Sequence, residues 1–157
     1  MRRRRRLGRR QSPLPLILIG LAVVLLIFSF AKLFQTDGRK AEHVVKEFYK
    51  HEQLQQHSQA WELLHPIVQD KFPKTSFIQD RNHVFFGHFG AEAYSFHIKN
   101  SGKNKNWRAV KDGDVLHNAH HFTVKKEYRG KYGHFYFIQE VYVVKEEGKW
   151  MIVWDFK

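Results

Sequence analysis

Histidines come first among the residues here with catalytic or metal-binding chemistry. The chain carries 11 of them, all from His43 onward, with His117, His120 and His121 the densest group and His83 and His88 next. On an extended strand His117 and His121 share a face but stand ~13 Å apart at ~3.3 Å per residue, and His120 points the other way. Zinc holds each ligand at about 2 Å, so it does not bridge that pair. No His-Glu-x-x-His spacing occurs either. The reading is no metal and no cofactor, with the histidines at the surface or lining a cavity. His120 stands out because it shares a face with Phe122 and Val124, which makes His120 and Phe122 candidates for a ligand-facing wall.

Proton transfer of the isomerase kind needs a carboxylate in an apolar cavity beside a donor such as tyrosine. Glu140 and Asp155 are acidic residues on expected strands. Glu140 alternates with Ile138 and Tyr142, and Asp155 with Met151 and Val153. Tyr94, Tyr128, Tyr136 and Tyr142 supply donors. Both carboxylates equally suit the solvent-facing side of a sheet. Phe85 and Phe86, with Phe89 close to Gly87 and Gly90, suit a pocket mouth or a core beneath a loop. There is no nucleophile elbow, no phosphate-binding glycine loop and no paired-carboxylate motif. The absence of cysteine removes disulfides, thiol nucleophiles and thiolate metal sites. Lys99, Lys103, Lys105, Arg108 and Lys111 surround Trp107, a pattern that can grip anionic polymers. A solvated hairpin explains it equally, and no nucleic-acid partner is expected.

These residues need elements to position them. Ala41, Val44, Val45, Phe48 and Tyr49 fall at helical spacing, with Glu42, His43, Lys46, Glu47 and Lys50 opposite. Ser58 is the expected N-cap of a short second helix carrying Ala60, Trp61, Leu63 and Leu64. Pro66 ends that helix or starts the next, and Pro73 punctuates again before Phe77 and Ile78. The period then changes to two. Tyr94, Phe96 and Ile98 alternate with Ala93, Ser95 and His97. Asn100-Ser101-Gly102 and Lys111-Asp112-Gly113 read as turns flanking Trp107–Val110. Strands are expected over 115–128, 134–145 and 149–156, the last with Trp150, Ile152 and Trp154 on one face. Trp61 and Leu64 are expected to pack against that last strand. Helices first and an antiparallel meander afterwards make an α+β domain.

The charge sits unevenly along the 157 residues. Of 27 basic residues, eight precede Gln35 (Arg2 to Arg6, Arg9, Arg10 and Lys32), while all 15 acidic residues lie from Asp37 onward. The net charge of +12 is therefore concentrated at one end. Leu14 to Phe34 is apolar apart from Ser29 and Lys32, and it has the length of the about 20 helical residues that cross a bilayer core of about 30 Å. Seven arginines ahead of it place the short N-terminus in the cytoplasm and the remainder outside. A cleaved signal peptide cut after Ala31 competes with this reading, but the apolar run past Ala31 favours a retained anchor. The expected organisation is a basic cytoplasmic tip at 1–13, a transmembrane helix at 14–34, a linker at 35–40 and one extracytoplasmic domain at 41–157. Hydrophobic content of 43% and aromatic content of 15% give that domain a core.

The helix at 41–49, the segment Gln59-Ala60-Trp61-Glu62-Leu63-Leu64-His65-Pro66 and the closing hairpin from Val143 to Trp154 together resemble the nuclear-transport-factor-two-like superfamily. The resemblance implies a cone of about three helices packed on a curved antiparallel sheet, and the layout is most similar to its membrane-anchored bacterial members. It implies no chemistry, because the superfamily holds enzymes, ligand binders and envelope-machinery subunits alike. The expected function is a membrane-anchored extracytoplasmic binding or scaffold module without enzymatic activity, working in a cell-envelope assembly through its cone-shaped domain. Its expected partners are the membrane, an envelope protein or a second copy of itself, and an apolar ligand in the cone. The alternative is a small isomerase- or dehydratase-like enzyme using Glu140, Asp155 and Tyr142.

Overall fold

The stripe Ala41, Val45, Phe48, Tyr49 and Glu52 recurs every three or four residues and is buried along its whole length, which makes α1 a long amphipathic helix, Asp37–Gln53. In the computed structural model, which describes residues 20, 23, 24, 37–81, 83, 87 and 94–156, α1 begins at Asp37, so the second half of the expected linker is helical. Asp37 in the first turn and Lys50 and His51 in the last complement the helix dipole. The helix ends on Gln55 in the left-handed region (φ 59°). There Gln56 N–H donates to the His51 carbonyl at 2.8 Å and Gln55 N–H to that of Glu52 at 3.0 Å. This is the two-bond helix stop that usually carries glycine.

Three short helices follow, α2 His57–Glu62, α3 Pro66–Lys71 and α4 Lys74–Arg81. Helix α2 starts at His57 after Gln56, not after Ser58, and Gln56 makes no side-chain cap. Pro66 opens α3, where its missing N–H is harmless, and His65 Nδ1 accepts the Ile67 N–H at 3.2 Å as cap.

Four antiparallel strands come next in the order β1-β2-β3-β4: β1 Tyr94–Trp107, β2 Leu116–Gly130, β3 Gly133–Glu146 and β4 Lys149–Trp154. The three later strands lie close to their expected ranges. Strand β1 does not, because Asn100-Ser101-Gly102 is not a turn. Asn100 Oδ1 accepts the Gly102 N–H at 2.9 Å, Gly102 takes φ +122°, and the register shifts there as a bulge inside one continuous strand. The Lys111-Asp112-Gly113 turn is present, with Gly113 N–H donating to the Val110 carbonyl at 3.2 Å.

One face of the sheet meets the helices. Phe122 and Val124 of β2, Val141 and Val143 of β3, and Ile152 and Trp154 of β4 pack with Ala41, Val45, Phe48, Tyr49, Ala60, Leu64, Val68 and Phe77. Each large side chain fully buried there contributes about 1.5–3 kcal/mol. A seam of main-chain bonds joins the layers: His65 N–H donates to the Ile152 carbonyl at 2.8 Å, and Ile152 N–H to that of Leu63 at 2.9 Å. Leu64 is thus seated on β4, as expected. Trp61 is half-buried at the rim of the core and donates its indole N–H to the Phe72 carbonyl at 2.8 Å.

The chain divides into two units, Met1–Thr36 and Asp37–Lys157, and the architecture above is that of the second, an α+β domain. The expected transmembrane segment at 14–34 and the basic tip at 1–13 lie outside the described residues, apart from Gly20, Val23 and Val24. Among the described residues no helix is long and apolar enough to cross a membrane.

Candidate functional site

The stripe that buries α1 ends on a carboxylate. Glu52 is 4% exposed, and two cations converge on it: Arg81 at the end of α4, with Nη1 3.1 Å from Oε1, and Lys126 on β2, with Nζ 3.8 Å from Oε2. Lys126 faces inward because it continues the alternation Phe122, Val124, Lys126, Tyr128. Burial pushes its ammonium down to about 8; Glu52 pulls it upward and Arg81 pushes it further down. Its Nζ lies over the rings of Tyr49, at 5.6 Å from the centroid, and Tyr94, at 6.0 Å.

The tyrosines around this group are tied into the fold. Tyr94 OH donates to the Tyr49 carbonyl at 2.8 Å, Tyr49 OH donates to Gln139 Oε1 at 3.0 Å, and Gln53 Nε2 donates to the Tyr94 carbonyl at 2.6 Å. Burial, and after it the Glu52 charge, raises the Tyr49, Tyr94 and Tyr128 hydroxyls above the ordinary tyrosine value. They are neutral hydrogen-bonding groups at physiological pH.

Beside this cluster opens a cavity of about 340 Å³ lined by Phe72, Phe77, Asp80, Arg81, Gln139, Trp154 and Phe156. Its walls are mostly aromatic, with Asp80, Arg81 and Gln139 as the polar members. Arg81 joins cavity to cluster: its guanidinium lies 4.9 Å from the Phe77 ring and 5.6 Å from that of Trp154 while it pairs with Glu52. Gln139 joins them a second time through Tyr49. The arrangement is a concave, aromatic site with a few convergent polar groups, the ordinary form of a small-molecule or side-chain pocket.

Glu140, Asp155 and Tyr142 are neighbours, but on the other side of the sheet. Glu140 is exposed; its Oε2 accepts from His121 Nε2 at 2.5 Å and from Thr123 Oγ1 at 2.9 Å. The His121 ring stacks on Tyr142 at 4.5 Å, and Trp107 stacks on Tyr142 at 3.9 Å. Burial raises the Tyr142 hydroxyl, and the charges of Asp155 and Glu140 add to this. Asp155 is exposed just beyond β4. His120 does face inward at 7% exposure, next to the Trp150 ring at 5.5 Å, six residues along β2 from Lys126 and away from the cavity lining. Burial lowers its pKa, Lys103 lowers it further, and Asp37 opposes both. Phe122 is fully buried core. Phe85 and Phe86 lie outside the described residues. Among the described residues no group of three or more His, Asp or Glu could hold a metal ion. In the basic stretch the lysines are exposed, whereas Trp107 is 8% exposed beneath Tyr142, so it presents no stacking surface to a nucleobase.

Glu52, Arg81 and Lys126 were not singled out from sequence. Two signals could have found them: Glu52 extends the buried stripe of α1 by one step, and Lys126 falls on the apolar phase of β2. No family model matches this chain, and a comparison with curated proteins gives no match.

Proposed function

We propose that this protein is a non-enzymatic binding module of the cell envelope, held by one transmembrane helix at 14–34 with its N-terminus in the cytoplasm. In this reading the domain from 37 onward is an extracytoplasmic cone of the nuclear-transport-factor-two-like kind. It takes an apolar ligand, or an apolar side chain of a protein partner, in the aromatic cavity. The observation that carries the reading is the cavity itself: Phe72, Phe77, Trp154 and Phe156 around about 340 Å³, with Arg81 and Gln139 at the wall. The arginine asymmetry about the apolar run supports the topology.

The enzymatic alternative needs a carboxylate able to take a proton inside an apolar pocket. Among the described residues the buried carboxylate is Glu52, and both its oxygens face cations, whereas Asp80 at the cavity wall, Glu140 and Asp155 are exposed. This favours binding over turnover. The test is purification of the full chain from membranes in mild detergent, followed by native mass spectrometry. An apolar molecule or a protein partner should accompany the wild type and be lost on Phe77→Glu. Recovery of the bare chain, together with turnover of a keto substrate, would reverse the assignment.

A further inference from the structure

One end of the domain gathers cations around a half-buried tryptophan. His120 on β2 is the centre: Lys103 of β1 is its register partner on one side and Val143 of β3 on the other. The Trp150 ring lies 5.5 Å from the imidazole, edge to face, and a methyl group placed on Gly38 of α1 would come within 3.8 Å of it. Lys145 Nζ sits over the Trp150 ring at 5.7 Å, and Lys149 precedes Trp150 at the tip of the β3–β4 hairpin. Lys103, Lys145, Lys149 and, next to Gly38, Arg39 are exposed, while Trp150 is half-buried. Among the described residues none of these four cations has a carboxylate partner. The acids beside them are Asp37, Glu146 and Glu147, and Glu146 is turned to His65 Nε2 at 3.0 Å. A tryptophan among long cations is the makeup of a surface that rests on phospholipid headgroups. The ring takes the interfacial layer, and the flexible stems carry their charges to the phosphates.

We propose that this end of the domain docks on the anionic phospholipid surface of the membrane that carries the chain. The inference rests on the reading of 14–34 as the anchor and is independent of what the cavity holds. Connectivity and charge name the occupant. Only Gln35 and Thr36 separate Asp37 from the apolar run that closes at Phe34. A tether of that length spans at most about 11 Å when fully extended, close to the Debye length of about 8 Å at physiological salt. The cations around Trp150 therefore lie within reach of a headgroup layer's field, and each basic side chain near an anionic surface adds to the attraction. Contact through α1, β1 and the β3–β4 hairpin together fixes the orientation of the domain, which a two-residue tether alone leaves free to tilt. The membrane thereby sets which way the domain is presented to a partner.

The chain has no cysteine, so a single thiol-linked fluorophore reports the contact. The full chain is reconstituted in vesicles that carry a headgroup-bound quencher, made of phosphatidylcholine with phosphatidylglycerol or of phosphatidylcholine alone. A fluorophore on Glu147→Cys, exposed at the β3–β4 tip, should lose most of its emission in the mixed vesicles. The emission should return at high salt and in phosphatidylcholine alone. A fluorophore on Tyr132→Cys, 75% exposed at the tip between β2 and β3, should stay bright throughout. Lys103→Glu, Lys145→Glu and Lys149→Glu together, all at exposed positions, should abolish quenching at 147. Alkali extraction reports the anchor separately: a chain that washes out of the vesicles means that the anchor reading has failed and the docking with it. An embedded chain overturns the docking alone if its probe at 147 stays bright or is quenched equally in both vesicles. Shielding that grows only with the density of chains also overturns it, a second copy then being the occupant.

Discussion

Lys126 is a buried cation whose effect on stability is readable as a pH dependence. It is held at 3% exposure with its pKa reduced from 10.5 to about 8. Below pH 8 both the folded and unfolded chains bind the proton, so the folded state bears the whole cost of the buried charge. That difference of about 2.5 pH units corresponds to about 3 kcal/mol at about 1.36 kcal/mol per unit. Between pH 8 and 10.5 the unfolded chain holds the proton and the folded chain releases it, so stability rises with pH. About 2 kcal/mol of the cost should be recovered between pH 7 and 9.5. Above about pH 10 the trend reverses, because tyrosines ionise in the unfolded chain while buried Tyr49, Tyr94 and Tyr128 resist. Lys126→Met removes the titration and leaves Glu52 with Arg81, the closer cation at 3.1 Å. Replacing a buried charge by an apolar side chain of similar volume is often stabilising. Urea unfolding of the full chain, followed by tryptophan emission from pH 7 to 9.5, should show Lys126→Met at least as stable as wild type at pH 7. The gap should close as pH rises. Parallel stability curves, or a loss of several kcal/mol at pH 7, would refute the account of Lys126 as a costly interior charge.

Glu52→Gln should be far more damaging, by about 3–5 kcal/mol in the same assay, because it removes the carboxylate facing buried Lys126 and half-buried Arg81; adding Lys126→Met should recover part of that loss. Trp154→Ala removes a 7%-exposed ring from the junction of core and cavity and should cost about 3–5 kcal/mol in thermal melts. His117→Ala, which loses one exposed contact to Asn106, should stay within about 0.5 kcal/mol of wild type. Protease added outside intact cells that lack an outer barrier should remove the domain from 37 onward; its survival until lysis would sink the proposed topology.

The first helix and strand β2 were legible because their burial follows one clean period each, and the ranges of β3 and β4 because turn residues bound them. Phe122 and Val124 on β2 and Ile152 and Trp154 on β4 behave as a two-residue repeat requires. The failures have physical causes. Asn100-Ser101-Gly102 has turn chemistry, yet pairing with β2 on both sides of it outweighs the local preference, and the glycine is used for a bulge. Ser58 is a better cap than Gln56, but the stop motif at Gln55 decides where the chain re-enters helix. The site was harder. A lysine and a glutamate on apolar phases read as exceptions to the pattern, and only the fold shows that they are exceptions to the same rule at the same place. The cavity has no linear signature, since Phe72, Arg81, Gln139 and Trp154 converge from four separate segments.

The seam between His65 and Ile152 also bears on when the domain can assemble. The α2–α3 junction closes on the last strand through two main-chain bonds and on the end of β3 through His65 Nε2, 3.0 Å from Glu146 Oε2. Leu64, Val68 and Phe77 therefore lack their β4 partners until synthesis has reached Trp154. A nascent chain at that stage has helices whose apolar faces have nowhere to go. Packing of these helices must wait for β4, so they stay open to proteases until that strand has been made. Truncation before Lys149 should leave the chain permanently in that open, protease-sensitive state.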